Sequence, residues 1–209
     1  MTTKKIWDIT PTISKDFPLW PGTPSFKLIV EEDMHKGDST TCSSINCTVH
    51  LGAHADAPSH YAKDGLTIDQ CSLEHYLGLC QVIRLDVPRG ASITQKMINQ
   101  EIKAPRLLFA FSTFDFTQPF QTDFASFDPD YFEFLGKNHV ITVGIDCPSV
   151  DLFDATELPC HLLAHRYNIA LLENLDLKDV PEGLYELIAL PLKIKDCDAS
   201  PVRAILRGL

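Results

Sequence analysis

No stretch of the 209 residues approaches the roughly 18 consecutive apolar residues that mark a membrane-spanning helix. The opening "MTTKKIWDITPTISKDF" also lacks the roughly 7–15-residue apolar run of a secretory signal. No block of lysines or arginines offsets a formal net charge of −10. The basic stripe that displaces counterions from nucleic-acid phosphates, or grips an anionic membrane, is therefore missing. Seven cysteines (42, 47, 71, 80, 147, 160 and 197) form an odd set without a C-x-x-C pair. That set fits reduced thiols in a cytosol better than a disulfide framework. A G-x-S-x-G string is absent, which removes the nucleophile elbow of a serine hydrolase. H-E-x-x-H and Walker strings are absent too, and with them the commonest zinc-protease and nucleotide-binding readings.

What is present is an ordinary globular composition, 44% hydrophobic and 22% charged, in a chain long enough to bury a substantial core. No internal repeat, low-complexity tract or linker interrupts it, so one domain is expected over residues 1–209. The expectation is a soluble, acidic, cytoplasmic protein that binds neither nucleic acid nor membrane.

Runs rich in β-branched and aromatic residues, bounded by Gly, Pro, Asp or Asn, predict strands over 26–32, 43–51, 80–87, 106–112, 139–146, 168–175 and 185–194. Helices are fewer. "SITQKMINQEI" (92–102) has amphipathic spacing, and "FDPDYFEFLGK" (127–137) offers Asp128 as N-cap, Pro129 at the first helical position and Gly136 as a stop. "DATELPCHLLAHRY" (154–167) predicts a shorter third helix. Strands interleaved with a few helices give an α/β or α+β fold with a mixed sheet.

The densest chemistry lies in "HLGAHADAPSH", His50 through His60, where random placement would put roughly 0.4 histidines. His50, His54, Asp56 and His60 share parity, so an extended chain projects all four to one face. A straight strand, however, would separate the His50 and His54 Cα atoms by ~13 Å, too far for nitrogens to converge on one ion. A bend or bulge at Gly52 resolves this, with Pro58 ending the pairing and turning the chain to carry His60. An isolated histidine such as His35, His75 or His139 is read as a half-buried side chain satisfied by a backbone carbonyl. Three imidazoles with a carboxylate on one face are not, because an unpaired buried carboxylate is costly and a divalent ion satisfies the whole group.

Downstream, His161 and His165 stand at i, i+4, and Glu173 sits inside the apolar "ALLENL", where a carboxylate needs a cation or donors. The His/Asp cluster upstream with a His/Glu pair downstream is the composition of a two-metal hydrolytic site. Cys160 is read as a small buried hydrophobe.

The string "HLGAHADAPSH" resembles the H-x-G-[TA]-H-x-D-x-P-x-H motif of the cyclase-like metal-dependent hydrolases. "WDITPTISKDFPLWPGTP", "HYLGLCQVI", "VITVGIDCPSVD", "HRYNIALLENLDL", "VPEGLYELIALPLKI" and "DASPVRAILR" extend the likeness, nearly end to end, to bacterial kynurenine formamidases (arylformamidases). The resemblance implies a swivelling β/β/α-type domain, a homodimer, and hydrolysis of N-formylkynurenine to kynurenine and formate. It implies two zinc ions per subunit: His50, His54 and Asp56 on one, and Asp56, His161 and Glu173 on the other. It makes His60 the catalytic acid/base and Trp20 a substrate contact, and it leaves His165 on the surface. Where much of the wider family has threonine before the second histidine, this chain has Ala53. Manganese or cobalt would suit the same nitrogen and oxygen ligands. An isatin-type cyclic-amide hydrolase or a non-catalytic metal-binding protein would share the ligands; the extra imidazole of His60 argues against the latter.

Overall fold

The computed structural model describes residues 4–209, so the first three residues of the expected domain lie outside the described residues. In chain order the strands are β1 (Ile6–Asp8), β2 (Lys27–Glu32), β3 (Cys42–Asn46), β4 (His54–Asp56), β5 (Leu77–Arg84), β6 (Ser92–Ile93) and β7 (Arg106–Ala110). They continue as β8 (Ser126–Phe127), β9 (Thr142–Ile145), β10 (Ala170–Glu173), β11 (Gly183–Ile188), β12 (Ala199–Pro201) and β13 (Ile205–Gly208). The two α-helices are α1 (Pro129–Lys137) and α2 (Pro159–Tyr167).

Nine strands form one curled mixed sheet in the order β1-β13-β11-β5-β7-β9-β10-β4-β12. Its middle, β5-β7-β9-β10, is parallel, and both flanks are antiparallel. Helix α1 supplies the crossover from β7 to β9 and α2 that from β9 to β10, while β5 reaches β7 through β6 and a 3₁₀ turn. Both faces of β7, β9 and β10 are buried, so they read as continuous apolar runs rather than alternating ones. Leu107 and Phe109 of β7, Ile145 of β9 and Leu171 of β10 join the core beneath the helices. Leu108, Ala110 and Leu172 point the other way, into a second core with Ala53, Ala55, Ala57 and Ala189.

Three expectations change. Residues 92–102 form no α-helix: β6 pairs with β8, and a single 3₁₀ turn follows at Gln95–Met97. Backbone bonds from Ser126 N to Ala91 O and from Asp128 N to Ile93 O draw this segment into a ribbon. Its apolar side chains Ile93, Met97, Ile98 and Ile102 still face the helix-side core. Gly136 does not stop α1, which runs on to Lys137; instead a Cβ there would lie 2.4 Å from Tyr167 Cγ, so the glycine admits α2's last side chain. The expected strand over 43–51 ends at Asn46, and residues 47–53 turn before β4 begins. Elsewhere the bounds shift: β5 begins three residues before its expected start, the helix expected over 154–167 starts at Pro159, and β9 begins only at Thr142, after His139 at φ 61°.

The ribbon β2–β3 stands apart from the main sheet, and every residue of both strands is exposed.

Candidate metal centre

The sheet register explains why the first cluster converges. Strand β4 lies between β10 and β12, with Glu173 directly opposite His54 and Leu171 opposite Asp56. Side chains opposite each other on antiparallel neighbours share a face, so His54, Asp56 and Glu173 emerge together. The alternating Ala53, Ala55 and Ala57 enter the opposite core. Gly52 adopts φ +66°, which sets the bend ahead of β4 and lets Gly52 O meet His54 Nδ1 at 2.9 Å. The sequence places that bend correctly, although His50 sits in a turn rather than in a bulged strand. After Pro58 a 3₁₀ turn carries His60 back toward His50, with ring centroids 4.2 Å apart.

The second segment arrives on α2. His161 is buried at that helix's first turn, with Nε2 3.7 Å from Asp56 Oδ2 and 3.7 Å from Glu173 Oε1. His54 Nε2 lies 3.4 Å from Asp56 Oδ1 and 3.5 Å from Glu173 Oε2, and His50 Nδ1 lies 3.0 Å from Asp56 Oδ1. Asp56 is 1% exposed, and neither of its oxygens has a hydrogen-bond partner. A carboxylate left so would be severely destabilising. Burial pushes its acid up, but the imidazoles of His161, His50 and His54 outweigh that and hold it well below the usual carboxylate range.

Each imidazole has its other nitrogen engaged. His50 Nε2 meets Asp198 Oδ2 at 2.9 Å, His54 Nδ1 meets the Gly52 carbonyl, and His161 Nδ1 meets Asp151 Oδ2 at 2.6 Å. An acceptor on one ring nitrogen fixes the tautomer and directs the other outward as a ligand. The remaining nitrogens, His50 Nδ1, His54 Nε2 and His161 Nε2, all face Asp56, and those of His54 and His161 face Glu173 as well. Two donor groups, His50–His54–Asp56 and Asp56–His161–Glu173, each offer three ligand atoms within 4.8 Å of one another. This donor set, gathered around an otherwise unpartnered carboxylate, fits a metal cofactor.

Asp151 and Asp198 are absent from the sequence-derived set. Asp151 also accepts from Cys160 N and His161 N, and so caps α2. Its only sequence signal is an acid in the turn-rich "DCPSVD" ten residues before His161. Cys160 is buried with Sγ toward Phe127 O, as a small hydrophobe would be, and His165 lies beside Asp64 at the surface, 3.4 Å away. His75 is satisfied by the Ile141 carbonyl at 2.8 Å, whereas His35 is exposed.

A cavity of about 230 Å³ opens over the cluster, lined by His50, His54, His60, His161 and Glu173 on one side. Trp20, Phe17, Leu19 and Phe120 line the other, and the Trp20 ring packs at 4.9 Å from Phe153 and 5.5 Å from Phe120. Asn174 also lines it, buried with its side-chain oxygen unpartnered. The site therefore joins a polar floor to an aromatic wall.

The Cyclase family model matches residues 7–152, a span that includes His50 through His60. Kynurenine formamidase from Bordetella pertussis is 37% identical over 99% of this chain and 99% of its own. Kynurenine formamidase from Polaromonas naphthalenivorans is 39% identical over 99% of this chain and 92% of its own. A solved structure described as a potential metal-dependent hydrolase with cyclase activity superposes with a TM-score of 0.85 at 28% identity, covering 99% of both chains. Kynurenine formamidases match it over 99% of its length, and the chain belongs to the Cyclase family.

Proposed function

We propose that the protein hydrolyses N-formyl-L-kynurenine to L-kynurenine and formate at a binuclear zinc centre. His50, His54 and Asp56 hold one ion; Asp56, His161 and Glu173 hold the other. The observation that carries this reading is the buried, unpartnered Asp56 carboxylate with three oriented imidazoles around it. When bound, such ions supply Lewis acidity toward the formyl oxygen and lower the pKa of water from 15.7 toward roughly 7.

The chain's own residues do the rest. Water adds to the formyl carbon, the C–N bond breaks, and the departing aryl amine needs a proton. His60 lines the cavity beside the ligand cluster with its side chain 36% exposed, within reach of both substrate and solvent. An imidazole there relays that proton, since one ring nitrogen can donate while the other accepts. Trp20, backed by Phe120 and Phe153, presents an aromatic wall to the kynurenine ring. Glu173 is kept from rotating by the Val150 N–H, which donates to its Oε1 at 3.0 Å.

The protein acts as a cytoplasmic homodimer in this reading. All seven cysteines are free thiols, and among the described residues no helix is long and apolar enough to cross a membrane. A two-stranded ribbon exposed on both faces is marginal in water. Leu28, Ile29, Val30 and Ile45 of β2–β3 therefore call for a second copy to cover them.

Elemental analysis combined with a turnover assay tests the reaction, with isatin as the competing substrate. Substitution His60→Ala should reduce kcat ~10²–10⁴-fold while leaving metal content unchanged. If metal disappears together with activity, His60 is a ligand and its assignment as a proton carrier is wrong. If isatin turns over and formylkynurenine does not, the substrate assignment is wrong.

A further inference from the structure

Asp198 enters neither triad of proposed ligands, yet the sheet brings it to the mouth of the site. It immediately precedes β12, which pairs with β4, and Ala57 N donates to its backbone carbonyl at 2.9 Å. That register sets its carboxylate above the 3₁₀ turn Pro58–His60. A single oxygen, Oδ2, lies 2.9 Å from His50 Nε2 and 3.4 Å from His60 Nδ1. The two rings it joins are tilted by 43°. Among the described residues, His60 makes no other ion pair, whereas His50 also faces Asp56.

A histidine that moves a proton must present one nitrogen to the reacting atoms in a fixed direction. A carboxylate on the opposite nitrogen supplies that orientation, in the way a general base is held by a third group. Such contacts lengthen when substrate is absent and tighten when it binds. We infer that Asp198 is a positioning residue for His60, holding its Nδ1–H so that Nε2 faces the substrate cavity. The inference rests on the role proposed above for His60. The competing account is that Asp198 acts only through His50, as the acceptor behind a metal ligand.

A double-mutant cycle separates the two. Asp198→Asn, His60→Ala and the combined variant are assayed at saturating zinc, with metal content measured for each. Substrates are N-formylkynurenine and formanilides whose ring substituents make the aniline a progressively better leaving group. Asp198→Asn should keep its metal and its KM, and lose ~10–100-fold in kcat. That loss should shrink as the leaving group improves. In the His60→Ala background the same substitution should change kcat less than about twofold, because groups acting as one unit are non-additive. A loss that persists undiminished in that background, a loss of metal, or full activity in Asp198→Asn each overturns the inference. Full activity in His60→Ala alone overturns the reading of His60 itself and is recognisable as that separate failure. Asp198→Ser, carried through the same cycle, decides the question if Asp198→Asn is poorly folded.

Discussion

Asp56 is the residue on which both proposed ions depend. Its replacement by alanine leaves each donor triad with two members, so Asp56→Ala should purify with metal reduced by at least half and with no measurable turnover, by elemental analysis and assay. The imidazoles around it carry a pH signature. Burial lowers His54, but Asp56 and Glu173 raise it further, to about 10. Burial lowers His161 likewise, and Asp151, Asp56 and Glu173 bring it up to about 10. Both folded values exceed the ordinary ~6.5. In metal-free protein, their stabilisation is therefore complete below pH ~6.5 and is lost as pH rises through about 10. The melting temperature of metal-free protein should accordingly fall between pH 7 and pH 10.5 more than that of the zinc-loaded form. Zinc added to metal-free protein in weakly buffered solution near pH 7 should release protons, because coordination requires neutral imidazole. An unchanged pH would show that the imidazoles are not the ligands. At this scale the sequence is highly legible for side chains sharing one strand's parity, such as His54 and Asp56. It is silent about Asp151 and Asp198, because what accepts from an imidazole's far nitrogen is decided by chain that arrives from elsewhere.

Helix α2 and its loop form the element that couples stability to the site. Asp151 caps two N–H groups of that helix and orients His161 with the same carboxylate. Asp151→Ala should therefore destabilise the protein by ~0.5–2 kcal/mol through the lost cap. It should also weaken metal binding ~10–100-fold through the released imidazole. Denaturant unfolding without metal and a zinc competition titration measure the two effects separately. Gly136→Ala probes the packing of α1 on α2. Alanine is the better helix former by ~1 kcal/mol, but its Cβ would meet the Tyr167 ring at 2.4 Å. A ring cannot yield as a flexible side chain does, so overpacking should prevail with a net loss of ~1–3 kcal/mol in chemical denaturation. Helix α1 is readable from Asp128 and Pro129 because its start rests on local chemistry. Residues 92–102 mislead because helical spacing of apolar side chains is equally served by a short ribbon and one 3₁₀ turn, once β8 supplies backbone partners.

For the whole molecule, the exposed ribbon bears on the proposed assembly. In the proposed homodimer, Leu28→Asp combined with Ile45→Asp should convert dimer to monomer in sedimentation velocity, and a parent already monomeric would remove the basis for that assembly. A strand-rich mixed sheet is legible from composition and run length, since short, nearly unbroken apolar runs fill its buried middle. Strand order is not, because the neighbours of β4 come from residues 170–173 and 199–201. Pairing over such sequence separations leaves no local trace. The placement of β4 between those two late strands bears on how the protein matures. A growing polypeptide that has made all the proposed ligands, Glu173 included, still has β4 without one of its two neighbours. Until residues 199–201 emerge and dock, the ribbon bearing His54 and Asp56 remains a sheet edge, open to solvent and to mispairing. The floor that carries His54 and Asp56 is thus framed in its final form only once residues 199–201 have been made and have docked.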